Sequence, residues 1–428
     1  MIAGQKPWRL VLAATIGNAL EWYDFIVYGF MAATIAKLFF PQTDPAVALL
    51  LTTLSVGVGF VARPLGGVLL GLYADRAGRK PALTLVIGLM FASTAMIAFA
   101  PTYAQAGLWG AGLVVVARLV QGFSTGGEFG SATSMLIEYA PPGQRGLYGS
   151  WQMFAQASGA LVSTLMGAVL FEMFSQASVD AWAWRIPFLF GLLIGPAGFY
   201  IRRTLQEPPA FKAAAAASEP MPLGALLTRF PRQIAAGFVV STAINVMSYV
   251  IITYLPLYAQ KSLGLPAGVA FNALLIAVAL RMALVPLFGA LSDRIGRKPI
   301  LAGALALFVV TIYPAYGWVI AAPGFASLLA VEIWFAVLIA AAYGPAPTYL
   351  SELFPTRVRA TGISIVYNLA AAIFGGFSLF FVTVIEQQTG SKYAPAHYAV
   401  VFFVLALGSL LLVREARGET LDEAARPA

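Results

Sequence analysis

The chain has no cysteine and a single histidine, His397. That removes disulfides, thiolate nucleophiles and the usual sulfur and nitrogen metal sites together. It also lacks a Walker-type phosphate loop and a nucleophile elbow, so neither an ATP-driven pump nor a serine hydrolase is expected. Charge is scarce as well: Asp, Glu, Lys and Arg make up 10% of 428 residues against 60% hydrophobic, with a mean hydropathy of +0.82. That balance lies outside the range of soluble globular proteins. No small-residue cleavage site follows a short apolar segment, and the first apolar run is too long for a signal peptide, so this run is expected to be retained. The reading is a polytopic membrane protein, not an enzyme, with no cofactor and no metal.

What the sequence does have is apolar runs of about 20 residues, the length of a helix crossing a ~30 Å hydrocarbon layer. They lie near 10–37, 48–72, 81–100, 107–138, 147–171, 183–202, 233–259, 267–291, 299–320, 325–350, 362–385 and 397–413. None shows the alternation of a barrel strand. The predicted fold class is therefore an all-α membrane protein with twelve transmembrane helices. Positive charge orients it. Of 26 lysines and arginines, Arg63, Arg118 and Arg281 fall inside runs and Lys37, Arg185, Lys261 and Lys392 fall on one side. The remaining nineteen, from Lys6 and Arg9 to Arg426, share the side of the N-terminus. This bias puts both termini in the cytoplasm. The charge forms no stripe, so nucleic acid is not an expected partner.

A repeat organises the loops. Gly71-Leu72-Tyr73-Ala74-Asp75-Arg76-Ala77-Gly78-Arg79-Lys80-Pro81 recurs 218 residues later as Gly289-Ala290-Leu291-Ser292-Asp293-Arg294-Ile295-Gly296-Arg297-Lys298-Pro299. Arg63 and Arg281 each stand twelve residues before the aspartate, and Glu138 to Arg145 matches Glu352 to Arg359 at an offset of 214. Four matched anchors predict two six-helix repeats, 1–203 and 231–428. The segment 204–230, broken by Pro208, Pro209, Pro220 and Pro222, reads as a cytoplasmic linker, with a short helix over Ala210 to Ala217 compatible with its composition. Asp75, Arg76, Arg79, Asp293, Arg294 and Arg297 gather charge at helix ends, where Gly78 and Gly296 allow a tight turn. With the pairs Glu138–Arg145 and Glu352–Arg359 they are expected to latch the halves at the cytoplasmic side. Ordinary polar turns that fix topology would look the same, and exposed pairs contribute only ~0–1 kcal/mol.

Ionisable groups inside the runs carry the functional signal. Glu21 and Asp24, in Gly17-Asn18-Ala19-Leu20-Glu21-Trp22-Tyr23-Asp24-Phe25, lie three residues apart on one helical face. Glu21 is roughly 18 Å inward from Arg9, near the bilayer middle. A midplane acid costs about 2.5–3.5 kcal/mol to insert and usually faces a wet cavity or a partner. Like-charge crowding predicts that the two share a proton as a pair. Three acids, Glu21, Asp24 and Glu128, stand against three cations, Arg63, Arg118 and Arg281, so protonating one acid leaves net positive charge for an anion. Arg63 and Arg281 offer planar forks for carboxylates and are the first candidates for substrate binding; neighbouring acids or carbonyls are the alternative partners. Asn18, Gln152, Gln156, Asn245, Tyr249, Tyr367 and Asn368 are candidate lining residues or interhelical glue. Aligning Asn18 with Asn245 places Ser248 and Ile251 opposite the two acids, so the arginines recur and the acids do not. Glu332 occupies the repeat position of Arg118 and has no assigned role. Gly122, Gly126, Gly127 and Gly130 suit close helix approach, Pro345 and Pro347 break run 10, and Trp8, Trp182 and Trp184 read as interfacial anchors.

The paired Gly-x-x-x-Asp-Arg-x-Gly-Arg-Lys loops resemble the signature of the major facilitator superfamily, and Arg118-Leu119-Val120-Gln121-Gly122 is similar to its Arg-x-x-Gln-Gly motif. The opening stretch, Arg63-Pro64-Leu65-Gly66-Gly67 and Trp184-Arg185-Ile186-Pro187-Phe188 resemble the bacterial metabolite:proton symporter family over nearly the full chain. Arg202-Arg203-Thr204-Leu205-Gln206-Glu207 and Ala372-Ile373-Phe374-Gly375-Gly376 look most like its citrate and tricarballylate symporters. The resemblance implies the major facilitator fold, the bacterial inner membrane, a peripheral His397, and a coupling role for Arg118 with Glu21, Asp24 and Glu128. The expected activity is proton-coupled import of a small carboxylate by a monomer in contact with membrane lipid. Related carriers of 2-oxoglutarate, shikimate or zwitterions such as proline and betaine share the scaffold motifs. A transporter-like nutrient receptor would need a signalling domain, and the tail after Arg414 is only a short charged segment.

Overall fold

The computed structural model describes residues 7–40, 45–203, 206–217 and 221–424. Lys6, Thr204, Leu205, Pro220 and Arg426, used above for topology, motif and linker, lie outside the described residues, as does the side chain of Trp8. Among the described residues there is no strand. Among those residues eleven helices are long and apolar enough to cross a membrane, and the apolar stretch Ala183–Leu192 contributes to a twelfth. We number the twelve α1 (Pro7–Phe30), α2 (Pro45–Ala77), α3 (Arg79–Ala98), α4 (Leu108–Tyr139), α5 (Arg145–Met173), α6 (Ile186–Arg203), α7 (Pro231–Gln260), α8 (Ala267–Ile295), α9 (Arg297–Ala321), α10 (Phe325–Glu352), α11 (Thr356–Thr389) and α12 (Ala394–Leu412). The predicted fold class holds, with local differences. Run 1 turns at Met31 and continues as a separate helix, Ala32–Phe39. The 204–230 segment contains two short helices, Pro209–Ala217 and Leu223–Arg229.

Two compact units emerge: Met1–Met135 with Ala155–Pro208, and Leu136–Phe154 with Pro209–Ala428. The facing ends of α4 and α5 thus belong to the second.

In the first unit α6 packs on α1 and α3. Between α2 and α4 the contact is backbone to backbone. A methyl at Gly66 would overlap the Phe123 carbonyl, one at Gly122 the Gly59 carbonyl, and one at Gly126 the Arg63 carbonyl. Only helices without side chains at these points approach so closely, and the approach brings Arg63 and Arg118 to one cavity. Tyr23, Tyr28, Trp184 and Phe188 form part of the apolar core. Trp184 is therefore not an interfacial anchor. It is fully buried, edge-on to Phe39 at 5.4 Å, because the turn before α6 folds it inward, whereas Trp182 is half exposed.

In the second unit α10 packs on α8 and α9, and α7 on α11 and α12. Wide π-helical turns interrupt α7 at Met247–Tyr254 and α11 at Ala371–Gly375. The expected break in α10 falls at Gly344, where helix Phe325–Tyr343 gives way to Ala346–Glu352. Gly344 is pressed against Phe288 and Gly289, and Gly146 at the head of α5 against Gly289 and Ser292.

Each signature loop turns on one glycine. Gly78 and Gly296 both take φ 114°, a region that residues with a Cβ rarely adopt. Behind each sits a carboxylate. Glu207 accepts from the amides of Arg79 (3.0 Å) and Lys80 (2.8 Å), and Glu415 accepts from the amide of Lys298 (2.8 Å). These amides are the orphan donors of the α3 and α9 N-termini, where a negative charge is favoured.

Candidate functional site

In the first unit a cavity of about 20 Å³, room for about one water, is lined by Glu21, Asp24, Phe25, Arg63, Arg118 and Gln121 among others. Arg63 Nη2 donates to Glu21 Oε1 at 2.9 Å, and both side chains are 7% exposed. The guanidinium of Arg63 also lies over the rings of Phe60 (5.0 Å) and Phe25 (5.9 Å), where the ring quadrupole favours a cation. Arg118 lies over Tyr28 at 4.3 Å and donates to Gln121 Oε1 at 2.7 Å. The Gln121 amide turns its other end towards Asp24 Oδ2 at 3.5 Å, and the Thr94 hydroxyl donates to the same oxygen. Asp24 Oδ1 has no hydrogen-bond partner, and a methyl on Gly191 of α6 would press on it at 2.9 Å. Glu128, also buried, lies within electrostatic range of Glu21.

Glu21 and Asp24 thus share a cavity but not their partners. Glu21 is held by an arginine from α2, while Asp24 is held by neutral donors from α3 and α4 that link it to Arg118. Positions three apart on a helix diverge by about 60°, enough to send the two carboxylates to different neighbours.

In the second unit Arg281 is 7% exposed and lies over the Tyr343 ring at 5.8 Å. The Tyr343 hydroxyl donates to the Ile244 carbonyl (3.0 Å) and shares a hydrogen bond with Ser248 (2.5 Å). Nη1 of Arg281 has no hydrogen-bond partner. Asn245 and Asn368 each give their amide N–H to the carbonyl four residues back, of Ser241 and Ser364, both at 2.8 Å. Asn18, Gln152, Gln156, Tyr249 and Tyr367 are buried; Gly375 is small enough for the α11 π-turn to lie against Tyr249 and Asn245.

The signature-loop charges divide by burial. Arg79 is fully buried, bonded to Asp75 at 2.5 Å and to the Ala74 carbonyl at 2.9 Å. Arg76 and Arg294 are exposed. In the second unit Arg297 bridges Asp293 and Glu352, each at 3.2 Å. Asp293 accepts from the amides of Gly146 (2.8 Å) and Leu147 (3.0 Å), closing the N-terminus of α5. The two expected Glu–Arg pairs exchange partners. Glu138 bonds Arg359 at 2.8 Å and Arg145 approaches Glu352 at 3.6 Å. The turn Pro141-Pro142-Gly143, with Gly143 at φ 77°, reverses the chain between Glu138 and Arg145, and each finds its counter-charge across the second unit. Nor are these the weak exposed pairs anticipated, since Glu138 and Arg359 have no exposed side-chain surface.

A model of the sugar (and other) transporter family matches residues 10–221 and, again, 212–427. The chain belongs to that family. Among relatives within this transporter family, a citrate-proton symporter of Klebsiella pneumoniae is 36% identical over 396 residues, 92% of this chain and 89% of the relative. A proline/betaine transporter of Escherichia coli (strain K12) is 32% identical over 431 residues, 97% and 85% of the two chains. The proton:xylose symporter XylE bound to 6-bromo-6-deoxy-D-glucose shares the fold, with a TM-score of 0.82 at 20% identity over 98% of each chain. The chain is thus a multi-pass membrane transporter of that family, not an enzyme.

Sequence reasoning missed several participants. Gln121 was visible only as part of a motif, although its amide joins Arg118 to Asp24. Thr94 and Tyr343 sit in apolar runs where no spacing singles them out. Glu207 and Glu415 are equivalent caps, but their offset of 208 departs from the 218 of the loops they close, which conceals the match.

Proposed function

We propose that the protein imports citrate or a related di- or tricarboxylate with protons, by alternating access. The observation that carries this reading is the buried Glu21–Arg63 ion pair at 2.9 Å, set beside Asp24 and Arg118 in a chain whose relatives include citrate-proton symporters. A proton on Glu21 removes the charge that holds Arg63. The guanidinium is then a buried cation without a counter-ion, an arrangement costly enough to recruit a carboxylate. Deprotonation restores the pair and expels the anion. Asp24, Arg118 and Glu128 tune this exchange through Gln121 and through the local field, and Arg281 supplies the second unit's fork. Asn18, Gln152, Gln156, Asn245, Tyr249, Tyr367 and Asn368 serve as polar lining.

In this reading the working parts are the six-helix bundles 1–203 and 231–428 joined by the linker 204–230. The protein is a monomer surrounded by lipid in the bacterial inner membrane with both termini cytoplasmic. The cytoplasmic gate consists of Asp75, Arg76, Arg79, Asp293, Arg294, Arg297, Glu138, Arg145, Glu352 and Arg359. Proteoliposomes given an inside-alkaline pH gradient should accumulate labelled citrate, and a protonophore should abolish the uptake. Gradient-driven uptake of no carboxylate would overturn the reading. Relatives that are proline/betaine transporters favour a second reading, in which Arg63 or Arg281 takes the carboxylate of a zwitterion and an acid takes its cationic end. Accumulation of proline unaffected by excess citrate would select it.

A further inference from the structure

The second unit contains a buried acid with no assigned task. Glu332, on α10, is 4% exposed, and neither of its carboxyl oxygens has a hydrogen-bond partner. It lines a cavity of about 20 Å³, again room for about one water. The rest of that lining is apolar, including Ile251, Leu274, Ala277 and Phe335, except for Arg281. An ionised carboxylate with neither hydrogen bonds nor a counter-ion costs several kcal/mol in such surroundings; a neutral carboxyl does not. One acid and no second oxygen ligand is too little for a metal cation, which needs several. A proton is the occupant this chemistry suits.

The cavity also contains the means of releasing it. Arg281 faces the same space with Nη1 unpartnered. From α9, Tyr316 lies within electrostatic range of Glu332, its hydroxyl likewise without a partner, with Tyr258 of α7 packed on its ring at 5.6 Å. Tyr343, on α10 itself, lies under Arg281. In the first unit the corresponding chemistries, an acid and an arginine on separate helices, are already joined at 2.9 Å. In the second they face one cavity and stand apart.

We infer that Glu332 is a second proton site: it carries a proton in the arrangement seen here and gives it up when its carboxylate pairs with Arg281. One transport cycle would then move one proton through the second unit in addition to that handled by Glu21. This rests on the proton-coupled reading above, and its test separates the two. Reversal-potential measurements on proteoliposomes, opposing a citrate gradient with a pH gradient, give the proton-to-citrate ratio. Glu332→Gln should lower that ratio by one, and an unchanged ratio overturns the inference. A measurement on the unaltered protein needs no transport at all. The apolar reagent dicyclohexylcarbodiimide attacks buried protonated carboxyls, and peptide mass spectrometry locates the adduct. Modification of Glu332 at acidic pH that fades at alkaline pH supports the proton site even if citrate is not the substrate; no adduct at Glu332 at any pH removes it.

Discussion

Arg359 donates to Glu138 at 2.8 Å with neither side chain exposed, joining the head of α11 to the end of α4 inside the second unit. Removing one member of a buried pair strands the other and costs about 3–5 kcal/mol. Glu138→Ala and Arg359→Ala should therefore loosen this contact far more than a surface pair would. Because the chain has no cysteine, a single Ser150→Cys beside Gly289 is a clean reporter. Maleimide labelling of that thiol should be faster in either alanine background. Equal labelling rates with and without the pair would mean that it holds nothing closed.

The α2–α4 contact gives a prediction about size alone. Gly126→Ala places a methyl on the Arg63 carbonyl and should destabilise by about 1–3 kcal/mol, the usual cost of overpacking. Gly88→Ala, with nothing within 4 Å of the new methyl, should be neutral or mildly stabilising. Thermal unfolding in detergent compares the two; equal midpoints would show that backbone contact is not what sets this helix pair.

Glu207 should behave as a helix cap. Its carboxylate accepts from two amides at the start of α3, so Glu207→Ala should cost about 0.5–2 kcal/mol. Glu172→Ala, at an exposed position, should cost little. A Glu207 variant as stable as the unaltered protein would leave those amides satisfied by something else.

The twelve helices and the glycine turns were legible because each rests on local necessity: apolar length for crossing a membrane, and a residue without Cβ where φ is positive. The sequence also singled out Glu21, Asp24, Glu128, Arg63, Arg118 and Arg281, since ionisable residues in apolar runs need a reason; the structure brings Glu21, Asp24, Arg63 and Arg118 to one cavity, while Arg281 lines another. It did not reveal how they pair. Glu21 and Asp24 look like a couple along the helix axis, yet their partners come from α2, α3 and α4, and tertiary packing alone decides which donor reaches which oxygen. The same holds for Glu138, whose neighbour in sequence is Arg145 and whose neighbour in space is Arg359. Trp184 misled because a tryptophan at a run boundary looks the same whether the following turn exposes it or folds it in.

The central claim is that protons drive uptake by competing with Arg63 for Glu21. It is tested most directly by measuring, in one proteoliposome preparation, gradient-driven citrate accumulation and citrate–citrate exchange for Glu21→Gln. The account predicts accumulation reduced about 5- to 150-fold, the range of a coupling energy of a few kcal/mol, with exchange largely kept because Arg63 is then permanently free. Loss of both activities in equal measure, in a variant that folds as well as the unaltered protein, would contradict it and leave Glu21 as a structural counter-ion.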